Sequence, residues 1–159
     1  MSDLQLRAAR PEDAGFIVGQ ASRLADASRL PWLPWSATDQ FAAAGCQQAV
    51  EAIGQPGQPG QLVLIAADPG GQRLGFVHAL LDVSAFTGER VGYVAVLVVE
   101  AVAAGRGVAR ALMTAAEDWT RDQACALITL EVFASNTTAR AVYGRLGYAE
   151  QTLKLAKTL

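Results

Sequence analysis

The residues best suited to chemistry lie in a glycine-containing segment that separates an apolar run from a helical pattern. This segment is Gly105-Arg106-Gly107-Val108-Ala109. A helix N-terminus presents unpaired N–H groups and a partial positive charge, which suit phosphate oxygens. Glycines let the backbone approach a ligand closely, and Arg106 and Arg110 add positive charge. The segment therefore predicts a pyrophosphate-binding loop.

Three other interpretations of this loop are open to test on the residues alone. A P-loop needs a lysine after its last glycine, and no glycine of the chain is followed by lysine. A dinucleotide fingerprint would use Gly105 and Gly107, but Arg110 stands at the position of its third glycine. The third interpretation is a tight connection that binds nothing. The loop alone does not decide between a phosphate site and this connection.

A second segment carries residues at fixed spacing: Thr129-Leu130-Glu131-Val132, then Asn136, Ala139, Tyr143 and Gly147-Tyr148. This spacing resembles the pattern LxV…NxxAxxxYxxxGF of the GNAT superfamily of N-acetyltransferases. The glycine segment, preceded by Leu97-Val98-Val99, resembles the acetyl-CoA signature of the same superfamily. The two segments occur in the expected order and separation. The resemblance covers essentially the whole chain and is strongest over residues 91–149.

The resemblance implies that acetyl-CoA binds as the acyl donor and that no metal takes part. The signature reads Gln or Arg, two variable residues, Gly, one variable residue, then Gly or Ala. Gly107 and Ala109 match it, whereas Ala104 departs from it at the first position. In the family, backbone amides bind most of the pyrophosphate. The implied cofactor-binding residues are Leu97, Val98, Val99, Ala104, Gly105, Arg106, Gly107, Val108, Ala109, Arg110, Asn136 and Tyr143.

The resemblance also implies the transfer of acetyl to a primary amine, with a main-chain N–H near Val98 or Val99 polarising the thioester carbonyl. Tyr143 is the predicted general acid, because a phenol of ordinary pKa about 10 stays protonated at neutral pH. A tyrosine packed into the core is the alternative. Glu131 is the predicted general base, since partial burial on a strand would make it a stronger base. The rival bases are Glu100, His78 and a chain of water molecules.

The acceptor is open between a protein N-terminus and a small-molecule amine. Trp32 and Trp35 lie between the first two predicted helices, where the family builds its acceptor wall. They could instead fill the core or a dimer contact. Because Ala104 departs from the signature, a non-catalytic acyl-CoA-binding module is the second hypothesis. A dinucleotide-dependent enzyme is the third.

The composition predicts one cytoplasmic domain over residues 1–159. The net charge is −2 without a Lys/Arg run, so no nucleic-acid partner is expected. The longest apolar run, residues 93–99, is far shorter than the about 20 residues of a membrane span, and we expect neither a membrane partner nor a signal peptide. The single His78 excludes a multi-histidine metal site. Cys46 and Cys125 are expected to be core thiols. A homodimer, as in many GNAT proteins, is one of the open oligomeric states.

Apolar periodicity and turn residues predict a mixed α/β domain in the order βααβββαβαβ. With the resemblance, this order implies the GNAT fold. Its central sheet is mixed but mostly antiparallel, has helices on both faces, and has strands that splay apart at the acetyl-CoA site. The predicted strands cover residues 4–8, 62–67, 74–83, 91–99, 126–133 and 152–156. The predicted helices cover residues 11–25, 36–53, 108–123 and 136–146, and residues 54–60 form a surface loop.

Overall fold

A computed structural model describes residues 4–53 and 60–159 of the chain. The predicted surface loop therefore lies outside the described residues, apart from Gly60. Two short 3-10 turns occur at Pro11–Asp13 and Ala101–Ala103. The remaining elements are β1 (Gln5–Ala8), α1 (Ala14–Gly19), α2 (Ala21–Ala27), α3 (Trp35–Ile53), β2 (Gln61–Ala67), β3 (Arg73–Val83), β4 (Arg90–Val99), α4 (Val108–Asp122), β5 (Ile128–Leu130) and α5 (Thr137–Arg145).

The five strands form one sheet in the order β1-β2-β3-β4-β5. Strands β1 to β4 pair antiparallel, and β5 runs parallel to β4. The β4–β5 pairing extends only from Gly92↔Ile128 to Val94↔Leu130. β4 continues to Val99, so its last residues run beyond the end of β5. The predicted mixed, mostly antiparallel sheet is confirmed, and the gap beyond Leu130 is where the two strands part.

A β-bulge lies in β4 just beyond its last pair with β5. His78 pairs with Val96 and Ala79 pairs with Val94, so Ala95 is an extra residue on β4. A bulge of this kind shifts the alternation of side chains along the strand. After it, Val96 and Val98 pack on the side of α1 and α3. Leu97 and Val99 pack on the α4 side.

Helices cover both faces of the sheet and give two core clusters. On one face α4 buries a stripe of residues at helical spacing, which explains the apolar pattern in its sequence: Val108, Leu112, Met113 and Ala116. On the other face α3 buries the small residues Ala42, Cys46 and Ala49. Small residues let α3 lie close to the sheet. A Cβ at Gly45, for example, would lie 3.3 Å from Val96 Cγ2. No helix within the described residues is long and apolar enough to cross a bilayer.

The N-terminal helical region differs from the single helix that the sequence predicts. A 3-10 turn precedes two short helices, which are separated at Gln20. An acidic residue in the first turn of a helix, as Asp13 is in the sequence, usually stabilises the helix start through its charge. Instead it is fully buried and accepts hydrogen bonds from Arg7 and Arg73. The carboxylate therefore joins β1, the 3-10 turn and β3.

Two strand predictions differ from the structure: one strand is shorter than predicted and the other is not formed. β5 spans only Ile128–Leu130, because the chain leaves the sheet at Glu131 and Phe133 packs edge-on against Phe41 of α3, with ring centroids 5.8 Å apart. The last predicted strand, residues 152–156, is not formed, and Leu153 and Leu155 are exposed. A strand needs a neighbouring edge to satisfy its main chain. The outer edge of β5 is only three residues long, and it pairs with no strand among the described residues.

Candidate active site

The free end of β4 presents an unpaired strand edge. The Glu100 N–H donates to Leu74 O at 2.8 Å, which places the main chain of Glu100 toward β3. Main-chain direction alternates along a strand, so the N–H and C=O groups of Leu97 and Val99 point away from β3 into the gap. The main chain of Val98 points toward β3, and a Cβ at Gly75 would press against the Val98 carbonyl oxygen. Of the three predicted residues on β4, Leu97 and Val99 thus offer main-chain groups to the gap.

The glycine loop leads from this edge into α4. Gly105 and Gly107 have φ angles of 75° and 81°, in the left-handed region that favours glycine. Gly107 is the N-cap of α4, and no side chain caps the helix. The N–H groups of Val108, Ala109 and Arg110, in the first turn, therefore have no acceptor within the helix. This geometry suits a phosphate group.

The residues around the glycines also agree with a phosphate site. Arg106 and Arg110 are exposed beside the start of α4, as is Ala104. A Cβ at either Gly105 or Gly107 would meet no atom within 4 Å. The two glycines are thus required by backbone conformation and not by crowding within the protein. The loop has space on its outer side for a ligand.

Helix α5 begins and ends with strong local signals. Asn136 is the N-cap, and its side chain accepts a hydrogen bond from Ala139 N at 3.1 Å. Gly147, at φ 94°, follows the C-cap. The Tyr148 N–H then donates to Tyr143 O, and the Gly147 N–H donates to Gly144 O, which together form a Schellman motif. The motif holds Tyr148 beside Tyr143, with ring centroids 5.9 Å apart.

Tyr143 joins the α5 segment to the gap. Its ring packs on the core cluster that includes Val108 of α4, and Leu97 and Val99 of β4 pack on the same cluster. Burial raises the pKa of Tyr143 to about 12. Within the described part of the chain its hydroxyl makes no hydrogen bond, whereas the Tyr148 hydroxyl donates to Glu117 Oε1 at 3.1 Å. The structure therefore brings Tyr143, the start of α4 and the open end of β4 together.

A model of the acetyltransferase (GNAT) family matches residues 24–148, which include all of these elements. The chain belongs to the GNAT family. Over 87 residues it is 41% identical to mycothiol acetyltransferase of Salinispora tropica, covering 54% of this chain and 28% of that protein. Over 57 residues it is 46% identical to N-alpha-acetyltransferase MAK3 of Arabidopsis thaliana, covering 36% of this chain and 30% of that protein. The matched stretches thus span less than a third of each relative.

Solved structures of acetyltransferases have the same fold. Aminoglycoside N-acetyltransferase AAC(6')-Iy in complex with CoA superposes with a TM-score of 0.71 at 19% identity, over 100% of this chain and 96% of that chain. At this identity the likeness concerns the fold alone. Together with the family match, it shows a domain of the GNAT family with a mixed sheet and flanking helices.

The GNAT sheet places Glu131 away from Tyr143. Glu131 is exposed and follows the last residue of β5, so the partial burial that we predict from the sequence is not observed. Tyr93 precedes Val94 on β4 and so faces the side opposite to α4. Burial, and then the carboxylates of Glu131 and Asp82, raise the pKa of Tyr93. Glu131 therefore lies near Tyr93, whereas Tyr143 lies on the α4 side.

The two rival bases are held in different ways. Glu100 is partly buried, and its Oε1 accepts a hydrogen bond from Gln20 Nε2 at 2.6 Å. His78 is only 1% exposed in the middle of β3, with Nε2 2.8 Å from Gln61 Oε1. Burial lowers the pKa of His78 to about 4. His78 is thus a core histidine and a weak base. Across residues 4–53 and 60–159, no three His, Cys, Asp or Glu side chains lie close enough to hold a metal.

The α2–α3 connection lies beside the gap of this GNAT fold. Trp32 and Trp35 are 54% and 71% exposed, so they do not fill the core. The Arg29 guanidinium lies 4.8 Å from the centroid of the Trp35 ring. Ser135, in the segment after β5, donates through Oγ to Arg29 O at 2.9 Å. The connection is thereby joined to the segment between β5 and α5, and it presents exposed tryptophans next to it.

Sequence reasoning missed two side chains, at the N-cap of α2 and within it, that bind the end of β4. Gln20 binds Glu100, as described above, and Arg23 of α2 donates through Nε to Val99 O at 2.7 Å. The two side chains lie three residues apart and therefore share one helical face. In the sequence they are not distinguishable from an ordinary solvated polar face, because their partners are distant along the chain.

Proposed function

We propose that this chain transfers an acetyl group from acetyl-CoA to a primary amine in the cytoplasm. The observation that carries the proposal is the position of Tyr143. Its hydroxyl has no partner among the described residues, and its ring packs on the same cluster as Leu97, Val99 and the first turn of α4. A proton donor, a strand edge and a phosphate-binding helix end thus converge on one gap. The free, buried thiols of Cys46 and Cys125 agree with a reducing compartment.

The donor-binding residues fit acetyl-CoA by their chemistry. The N–H groups of the first turn of α4, with Arg106 and Arg110, would hold the pyrophosphate. The main-chain groups of Leu97 and Val99 would bind the amides of the pantetheine arm, as another strand would. Asn136 would contact the same arm while it caps α5. Acetyl-CoA, when bound, supplies the acetyl thioester that the amine attacks.

Three groups of the protein divide the chemistry. A main-chain N–H of β4, from Leu97 or Val99, polarises the thioester carbonyl and stabilises its developing negative charge. Tyr143 donates a hydrogen bond to the departing sulfur, and the resulting thiolate takes up the second proton, which the attacking nitrogen loses once the new C–N bond has formed. Glu131 accepts the proton of the acceptor ammonium, directly or through water. The base and the acid lie on opposite faces of the sheet, so the acceptor and the donor approach the gap from opposite sides.

The pKa of Tyr143 favours a hydrogen-bond donor over the general acid that the family resemblance implies. A thiol has an ordinary pKa of about 8.5, well below the phenol's. Because burial raises the pKa of Tyr143 to about 12, the phenol keeps its proton while it donates to the sulfur. Its main contribution is therefore a hydrogen bond to the sulfur as negative charge develops there.

The two curated relatives suggest two classes of acceptor. One is named a mycothiol acetyltransferase and the other an N-alpha-acetyltransferase. Trp32 and Trp35 are exposed in the connection that Arg29 joins to Ser135, and there they would suit an acceptor with an apolar or aromatic portion. Both a peptide N-terminus and a small-molecule amine meet these requirements.

A thiol-release assay tests the proposal. The protein is incubated with acetyl-CoA and a panel of short peptides with free N-termini and small primary amines, and acetyl-CoA binding is measured in parallel by calorimetry. We expect binding, and free CoA thiol that forms only when a suitable amine is present. Binding without turnover on any amine would favour the non-catalytic acyl-CoA-binding module. Absence of binding would contradict both.

Ala104 gives a separate prediction for the donor site. An arginine there would place a guanidinium beside the first turn of α4, where charge-assisted hydrogen bonds to phosphate are strong. Ala104→Arg is expected to tighten acetyl-CoA binding about three- to tenfold in calorimetry. Ala101→Arg is the matched control, because Ala101 is also exposed and lies at the start of the preceding 3-10 turn. An equal gain in acetyl-CoA affinity in both variants would mean that the added positive charge tightens binding wherever it lies on this loop, and that position 104 has no special role.

A further inference from the structure

The carbonyl of Val99 is the last outward acceptor on the free edge of β4, and a side chain of the protein already uses it. Arg23 Nε donates to Val99 O at 2.7 Å. In a sheet, this acceptor would receive an N–H from the next strand. β5 does not reach it, since its pairing with β4 ends at Val94↔Leu130. Arg23 therefore occupies a main-chain hydrogen-bond acceptor that a ligand bound like a strand would need.

We propose that Arg23 is a displaceable placeholder: in the free protein it occupies the Val99 carbonyl, and the pantetheine arm of acetyl-CoA replaces it there on binding. The proposal rests on the proposed function, because it takes acetyl-CoA as the ligand of this edge. An amide N–H of the pantetheine arm can make the same hydrogen bond as Arg23 Nε. Two donors of this kind cannot occupy one position on the carbonyl.

The surroundings of Arg23 allow it to leave without moving its helix. Its side chain is exposed, so the released guanidinium is hydrated at once. Gln20 is 7% exposed and donates to the Glu100 side chain, which does not belong to the strand edge. The Gln20–Glu100 hydrogen bond therefore keeps the start of α2 attached to the end of β4 while Arg23 moves.

Arg23→Met tests the proposal, because methionine keeps an unbranched side chain and removes the donors. The bond to Val99 exists only in the free protein, so its loss should destabilise that state and leave the complex unchanged. By linkage, acetyl-CoA should bind more tightly, by about three- to tenfold. In thermal denaturation, Arg23→Met should melt below the parent without ligand and level with it at saturating acetyl-CoA.

Because Arg23 is a cation, an increase in acetyl-CoA affinity on its removal is a distinctive result. Acetyl-CoA is an anion, so removing a cation near its site would by itself weaken binding. Arg90→Met is the matched control, because Arg90 is exposed at the opposite end of β4. Circular dichroism verifies that both variants fold. Unchanged or weaker binding by Arg23→Met, relative to Arg90→Met, would overturn the placeholder and leave the proposed function intact. A parent protein that does not bind acetyl-CoA would overturn both.

Discussion

Replacing Asp13 by asparagine is expected to destabilise the protein by about 3 kcal/mol at neutral pH, because removing one partner of a buried ion pair leaves the other charge uncompensated. Asp13 is fully buried and accepts four hydrogen bonds. Two come from Arg7 at 2.6 and 2.8 Å, one from Arg73 Nε at 2.6 Å and one from Arg10 N at 2.8 Å. Asparagine keeps the size of the side chain but replaces one acceptor oxygen by a donor.

The same carboxylate predicts how stability depends on pH. Hydrogen bonds from Arg7 and Arg73 hold the pKa of Asp13 well below its usual range. In the unfolded chain the carboxyl has its ordinary pKa of about 3.9. The ionised carboxylate therefore contributes its full stability above that value, and the contribution is lost as the pH falls further toward the folded pKa. The difference in the free energy of unfolding between the parent and Asp13→Asn should accordingly become smaller below about pH 4.

Urea denaturation at several pH values measures both effects. Asp118→Asn is the control, since Asp118 pairs with Arg121 on the surface and both side chains are 65% exposed. An exposed pair of this kind contributes less than about 1 kcal/mol. If the free energy of unfolding of Asp13→Asn lay within roughly 0.5 kcal/mol of the parent's, which is the spread of ordinary surface substitutions, the hydrogen bonds to Asp13 would have no measurable role in stability.

The features that the sequence predicted well depend on residues close together in the chain. Asn136 and Gly147 bound α5 through partners within five residues, and the apolar stripe of α4 is visible as a helical period. The glycines at the start of α4 likewise signal a left-handed backbone by their residue type. Local chemistry of this kind is written in the sequence, so these parts of the fold and of the candidate site could be predicted.

The features that the sequence did not predict depend on contacts between residues that are distant along the chain. Arg73 is 60 positions from Asp13, and Arg23 is 76 positions from Val99. The bulge at Ala95 has no glycine or proline to signal it; it is defined only by the register with β3. That register decides which main-chain groups of β4 face the gap. The sequence could therefore predict residues 97–99 as a group, but not that Leu97 and Val99 face the gap while Val98 faces β3.

Glu131 shows how one strand boundary changes the description of a site. The alternating pattern of residues 126–133 predicts a strand that would partly bury this carboxylate. The strand ends at Leu130, because β4 and β5 separate there, and Glu131 is exposed. A residue pattern gives the propensity of a segment, but the point at which a strand leaves its neighbour is set by the whole sheet.

Replacing Tyr143 by phenylalanine is expected to lower kcat about a hundredfold or more, which is the usual loss when a hydrogen-bond donor to a developing negative charge is removed. Acetyl-CoA affinity and the melting temperature should stay close to those of the parent. The ring keeps its packing on the core and its edge contact with Tyr148. The hydroxyl has no hydrogen-bond partner within the described residues, so its loss breaks no bond of the folded protein.

Tyr148→Phe separates chemistry from packing at this site. It removes a hydroxyl 3.1 Å from Glu117 Oε1, on the ring next to Tyr143. We expect it to lower the melting temperature slightly and to leave kcat within about threefold of the parent, because a single hydrogen bond contributes about 1 kcal/mol to stability. Thiol release under saturating substrates gives kcat, and calorimetry gives the affinity. Equal kcat in the parent and in Tyr143→Phe would contradict the hydrogen bond to the sulfur and leave Tyr143 as a packing residue of the donor site.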